Sequence, residues 1–201
     1  TSTPTQVENK SSTDRYYALG ATYANGPANL YFAVDSFNYA SYFDNLTPST
    51  KDVDDSLTVA FGGSYDFSVV KVFAGAQYFD EVDAGSIGGL KATGVGLNKS
   101  GKLEGYGLQA SVSAPLAGGT GYFGVGYLDA SEADSVAAAD GVDVKYYVTS
   151  VGYKYDLSKR TNVYGVLSYA KGDQDVTTAT ATVYDRKPSM VGFGVGLRHN
   201  F

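Results

Sequence analysis

Two kinds of side chain alternate without a break over the last eleven residues of the chain, VGFGVGLRHNF. Val191, Phe193, Val195, Leu197, His199 and Phe201 fall on one side of an extended strand, and Gly192, Gly194, Gly196, Arg198 and Asn200 fall on the other. Successive strand side chains point to opposite faces, so one face here is apolar and the other small or polar. This is the pattern of a barrel strand with lipid on one side and water on the other. The same period of two recurs upstream and predicts nine strands near 15–24, 29–40, 55–66, 69–80, 103–114, 120–130, 143–156, 160–171 and 189–201. Most exceed the usual globular strand of about 5–6 residues and suit tilted membrane strands of about 9–11 residues plus a rim.

The intervals between strands alternate in length. Short turns are predicted at Asn25-Gly26-Pro27, near Phe67-Ser68, from Leu116 to Gly119, and at Leu157-Ser158-Lys159. Long connections cover 41–54, 81–102, 131–142 and 172–188, all rich in Asp, Ser, Thr, Gly and Ala. Outer-membrane barrels alternate short periplasmic turns with long external loops in this way. The faces agree: Leu57, Val59, Phe61 and Tyr65 oppose Ser56, Thr58, Ala60, Gly62 and Ser64, and Tyr106, Leu108, Ala110 and Val112 oppose Gly107, Gln109, Ser111 and Ser113. In the strand near 160–171, Val163, Leu167 and Tyr169 compete with Tyr164 and Val166 for the apolar side. Tyr gathers near strand ends, where an amphipathic ring fits the headgroup level.

Composition excludes several alternatives. No window approaches the ~18 consecutive apolar residues of a membrane helix. With no Cys there is neither a disulfide framework nor a thiolate metal site. The net charge of −6, with no basic run beyond Lys159-Arg160, argues against nucleic acid. The opening TSTPTQVENKSSTD is polar, unlike an apolar signal core, as in a mature chain or an internal piece of one. A soluble sandwich would carry Lys, Glu and Thr on its wet faces, whereas these hold Gly, Ser and Gln. Propeller blades are disfavoured by the lack of Trp and by tight turns at one end only.

Two stretches resemble the trimeric general porins of Gram-negative bacteria, in particular their β-proteobacterial branch. They are GYKYDLSKRTNVYGVLSYAKG at 152–172 and the ending GVGLRHNF, and LGATYANGPANLYFAV at 19–34 is similar to a further family hairpin. The resemblance implies an all-β fold, an antiparallel transmembrane β-barrel of about 16 strands set in the bacterial outer membrane. It implies homotrimers amid membrane lipid and lipopolysaccharide, passing ions and small hydrophilic solutes without a cofactor. It also implies that Val195, Leu197, His199 and Phe201 form the signal read by the outer-membrane insertion machinery. Nine strands cannot close antiparallel, because the first and last run the same way. The expectation is therefore a C-terminal part of such a barrel, with 1–14 left from an external loop, 15–201 forming the barrel portion, and the family's constriction loop absent.

Candidate sites follow from parity. Asp35, Lys71, Gln77, Gln109, Lys154 and Arg198 are expected to line the pore, keeping the wall wet and biasing ion passage. Gly96 to Lys102 nearly spells a phosphate loop, but Leu103 replaces the Ser or Thr that would hold magnesium, and a strand follows instead of a helix. His199, the single imidazole, stands on the lipid-side parity, which suits an anchor better than a catalytic base. Asp52, Asp54 and Asp55 are expected to form a solvated acidic loop rather than a calcium site. Asn45-Leu46-Thr47 and Asn98-Lys99-Ser100 match glycosylation acceptors that a bacterial outer-membrane protein would not use. The expectation is a non-enzymatic diffusion channel. The alternatives are an outer-membrane enzyme, which would need clustered Asp/His or Ser/His groups at the outer rim whereas the single His here falls at the opposite rim, and a structural or adhesive barrel acting through its loops.

Overall fold

Period-two stretches become strands because neighbouring stretches satisfy each other's backbone N–H and C=O groups, which a membrane core cannot do. The computed structural model describes residues 14–38, 42–43, 50–51, 54–83, 102–133, 141–178 and 181–201. Among these there is no helix, and the strands are β1 (Arg15–Asn25), β2 (Ala28–Asn38), β3 (Tyr42–Phe43), β4 (Thr50–Lys51), β5 (Ser56–Asp66), β6 (Lys71–Asp83), β7 (Lys102–Leu116), β8 (Gly119–Glu132), β9 (Gly141–Ser158), β10 (Thr161–Thr178), β11 (Ala181–Arg186) and β12 (Ser189–His199). One ten-stranded antiparallel sheet runs β1-β2-β5-β6-β7-β8-β9-β10, with β11 and β12 both on the far edge of β10, while β3 and β4 form a separate two-stranded ribbon. The nine expected strands are all present in the large sheet, to which β11 is an addition, and β3 and β4 fall within 41–54, expected as a long connection.

That addition has a simple geometry. Thr161 pairs with His199 and Lys171 with Ser189, and the same register continues above them, where Gln174 pairs with Arg186. β11 and β12 are therefore one line interrupted at Lys187-Pro188, because proline has no N–H to give the ladder. The Pro188 carbonyl still accepts from Gly172 N at 2.7 Å. The segment 172–188, read from sequence as a long loop, is mostly hairpin.

The short turns are built by backbone conformations that few residues tolerate. Gly26 sits at φ +55° next to Pro27, the glycine-first pattern of a type II′ turn. Its centre lies one residue later than an Asn-Gly turn would place it. Ala117 and Gly118 have φ of +47° and +81°, as a type I′ turn demands. The hydroxyl of Tyr153 donates to the carbonyls of Leu116 (3.0 Å) and Ala117 (3.1 Å), pinning that turn. Ser68 is at φ +71°, and β6 begins at Lys71 rather than at 69.

β1 ends at a short turn and β12 runs toward the same end, so the two outer strands point the same way and cannot pair antiparallel with each other. The buried residues cluster near the long-connection end. Phe79, Leu103, Ala130, Val142 and Val144 are each 7% exposed or less, with Val82, Leu128 and Tyr146 packed against them. A register shift between Phe79 and Val82 on β6, where Glu81 adopts φ +51°, lets β6 turn into this cluster.

Candidate functional site

Register decides which side chains share a face, because directly opposed residues in an antiparallel pair project to the same side. From β1 to β12 the pairings connect one face that carries Leu19, Leu30, Phe61, Val72, Leu108, Val125, Val151, Leu167, Phe193 and Val195. Every one of these ten is exposed, up to 84% for Phe193. The competition near 160–171 resolves with Val163, Leu167 and Tyr169 on this side. Exposed apolar patches beyond a few hundred Å² are rare on water-soluble monomers, and this one spans the sheet.

Tyrosines border that apolar band. Near the long-connection end the Tyr106 and Tyr127 rings lie 6.0 Å apart, and those of Tyr127 and Tyr147 4.9 Å apart. Tyr127 donates to Asp129 Oδ2 at 2.6 Å, with Lys145 Nζ 4.0 Å from the same oxygen. Toward the short turns stand Tyr65, 4.6 Å from Phe67, and His199, whose ring meets Phe201 edge-on at 4.9 Å. Thr161 Oγ1 and His199 Nδ1 are 2.8 Å apart, and Asn200 N donates to the Arg160 carbonyl at 2.8 Å. Val195, Leu197 and His199 thus lie in register on the apolar face, and the chain end is tied to the β9–β10 turn.

The opposite face brings Asp35, Lys71, Gln77, Gln109, Lys154 and Arg198 together. Asp35 stands beside Ala18 and Thr58 near the long-connection end. Gln77 faces Ala60 and Gly107, while Gln109 faces Gly75 and Gly126, at mid-sheet. Lys71 opposes Asp66 and Ser113 at the short-turn end, its ammonium 5.3 Å from the Phe73 ring centroid. Lys154 pairs with Thr120 and Tyr164 and lies 3.3 Å from Asp156 Oδ1, and Arg198 opposes Asn162. Nearer mid-sheet, the Ser150 and Ser168 hydroxyls meet at 2.8 Å. Three cations therefore sit toward the short turns, and the amides occupy the middle.

This face also holds groups that the sequence reading did not single out. Tyr31, Tyr122, Tyr146 and Tyr164 share it, as does the buried cluster around Phe79 and Leu103. Parity could have found the tyrosines, since Tyr31 is four residues from Asp35 and Tyr146 eight from Lys154. Another group invisible in the sequence is Lys102, whose ammonium is 3.3 Å from Glu81 Oε2, with side chains only 5% and 12% exposed, and donates to the Asp54 carbonyl. Asp55, expected in a solvated loop, accepts from Asn38 Nδ2. Residues 1–13, Asn45 to Thr47, Asp52 and 96–101 lie outside the described residues. Asp173, Asp175 and Asp185 bring carboxylate oxygens within 4.8 Å of one another at the outer end of β10 and β11.

Comparisons with known proteins bear on the whole arrangement. A family model described as Gram-negative porin matches residues 1–175. An outer membrane porin protein of Bordetella pertussis is 32% identical over 200 residues, covering 93% of this chain and 46% of the relative. Among solved structures, the anion-selective porin from Comamonas acidovorans matches with a TM-score of 0.60 at 23% identity, over 93% of this chain and 49% of that one. The chain spans about half the length of these relatives.

Proposed function

The chain belongs to the Gram-negative porin family, and from that premise we propose that it forms wall of a water-filled diffusion channel for ions and small hydrophilic solutes. Its place is the bacterial outer membrane, and its fold is that of a porin barrel sheet. The observation that carries the reading is the division of faces: one exposed and apolar across every long strand, the other bearing Gly, Ser, Gln and charge. In this reading the apolar face contacts lipid, and Asp35, Lys71, Gln77, Gln109, Lys154 and Arg198 line the lumen. Closing the sheet antiparallel needs an odd number of further strands between β12 and β1, because those edges run the same way. The channel works without turnover or cofactor and assembles as a homotrimer among lipid and lipopolysaccharide. The insertion machinery reads Val195, Leu197, His199 and Phe201.

A second reading, a barrel obstructed at its outer end and acting through its loops, draws on the inward tyrosines and the buried Phe79–Leu103 cluster. Planar-bilayer recording of the protein isolated from its outer membrane separates the two. Stable steps in groups of three, with a definite reversal potential in a potassium chloride gradient, support the trimeric channel. Silent bilayers that contain folded protein support the obstructed barrel.

A further inference from the structure

We propose that the mid-sheet polar face contains a subsite for an uncharged, polyhydroxylated ring such as a sugar. The proposal rests on the channel reading and adds a solute class to it. The feature is a cavity of about 250 Å³ whose lining includes Tyr31, Gly75, Gln77, Gly107, Gln109 and Tyr146. Its size is just under the ~300 Å³ lower end of drug-sized sites, enough for one ring with its far side open to water.

Glycines make the floor. A Cβ on Gly75 would stand 2.7 Å from the Tyr31 hydroxyl and 3.1 Å from Gln109 Nε2, and one on Gly107 would stand 3.0 Å from Gln77 Nε2. Only because both positions lack side chains can the Tyr31 ring and the two amides lie low across the sheet. Gln77 leans over β7 and Gln109 over β6, so the amides cross on a diagonal, Gln77 opposite Gly107 and Gln109 opposite Gly75. On the far side, the Tyr146 hydroxyl accepts from Gln174 Nε2 at 2.6 Å, which leaves its own proton to donate.

The chemistry of these groups selects the ligand. Each amide offers an acceptor oxygen and two N–H donors, Tyr31 offers a donor and an acceptor, and Tyr146 offers its remaining donor. Among the described residues neither Gln77 nor Gln109 has a protein partner, so both are available to solute. No charged side chain lines the cavity, so neither an anion nor a cation finds a counter-charge. Hydroxyl groups, which donate and accept at once, match such a set. The aromatic and glycine surface accommodates the C–H face of a ring. A site of this kind must bind weakly enough to release, as conduction requires.

The test uses the protein as isolated from the outer membrane, in planar bilayers, with glucose and maltose as probes. Binding at the subsite predicts a saturable fall in conductance with excess current noise. Q77A and Q109A should each raise the half-saturating concentration about fivefold, the effect of losing one neutral hydrogen bond. Gln109→Asn should recover part of the loss. The proposal is overturned if the channel conducts but sugar lowers current only in proportion to bulk conductivity, or if the variants saturate where the parent does. If no channel forms, the diffusion reading falls instead. Binding of radiolabelled maltose to the detergent-solubilised protein then decides the subsite alone, with equal retention by parent and Q77A/Q109A protein counting against it.

Discussion

Val151 and Ser150 are neighbours on β9 that project to opposite faces, and substituting each by Arg tests the assignment of lipid and water. Val151 lies midway between Tyr147 and Tyr155, which stand at the two ends of the apolar band. Those tyrosines are eight residues apart, or about 27 Å along the strand at ~3.4 Å per residue. A strand tilted by about 40° turns that into roughly 20 Å of depth, close to the ~25 Å apolar band of such barrels. An Arg at the midplane of the lipid face costs about 2–4 kcal/mol. Ser150 sits beside Gly124 and Ser168, where space is ample, and its replacement forfeits one hydrogen bond of 2.8 Å to Ser168, worth about 1 kcal/mol. The expected gap between Val151→Arg and Ser150→Arg is therefore about 1–3 kcal/mol, roughly a factor of 5 to 150 in folding equilibrium. Denaturant unfolding in phospholipid vesicles, followed by the gel-mobility difference between folded and unfolded barrel, reads it. If Ser150→Arg is the costlier change, the faces are inverted. Equal, small costs would mean that water reaches both faces, and the membrane assignment would be wrong.

Deleting Phe201 should sharply lower the amount of protein reaching the outer membrane while leaving synthesis intact; unchanged levels in fractionated membranes would refute the terminal-signal role. Lys102→Met removes the buried ammonium 3.3 Å from the mostly covered Glu81 carboxylate, a loss of about 3–5 kcal/mol, whereas K102M/E81L should cost less. Equal losses in the same unfolding assay would show that the pair is not coupled. Replacing Lys71, Lys154 and Arg198 together by Gln should move the reversal potential toward cations in a salt gradient. An unmoved potential would mean that screening over ~8 Å leaves these charges without influence on the ion path.

The strands and their faces were legible because alternation is a local property: each side chain's direction follows from its place in the strand. Strand ends were less legible, for a physical reason. Above the membrane both faces meet water, so a hairpin can continue without an apolar side. GDQDVTTATATVYDRKP at 172–188 therefore looks like a loop in sequence although its backbone pairs up to Thr178 and back from Ala181. Parity places the six polar-face candidates, while Tyr31 and Tyr146 do not stand out because tyrosine suits the headgroup level equally well. The Lys102–Glu81 pair was beyond sequence reasoning. It depends on the register shift after Phe79, and no short-range pattern marks that shift.

The polar face also changes character along a single strand, and this bears on where solute can pass. On β6, Lys71 opens the face at the short turn, Gln77 is exposed at mid-strand, and Phe79, two residues on, is 3% exposed. A side chain so covered is packing core, not wall. Leu103, Ala130 and Val144 repeat the transition on the next strands. If the apolar cluster lined water directly, its residues would be exposed like Val148 and Val166, which lie on the same face nearer the short turns. In the proposed channel, the wet part of this wall is therefore the zone of glycines, amides and tyrosines below the cluster, with the three cations at its far end. In that reading a solute moving along it meets hydrogen-bonding groups on one stretch and, on the other, cations interleaved with the carboxylates of Asp66 and Asp156. Neutral and charged solutes would consequently feel different stretches of the same strands, so amide substitutions should alter sugar block and cation substitutions should alter ion selectivity.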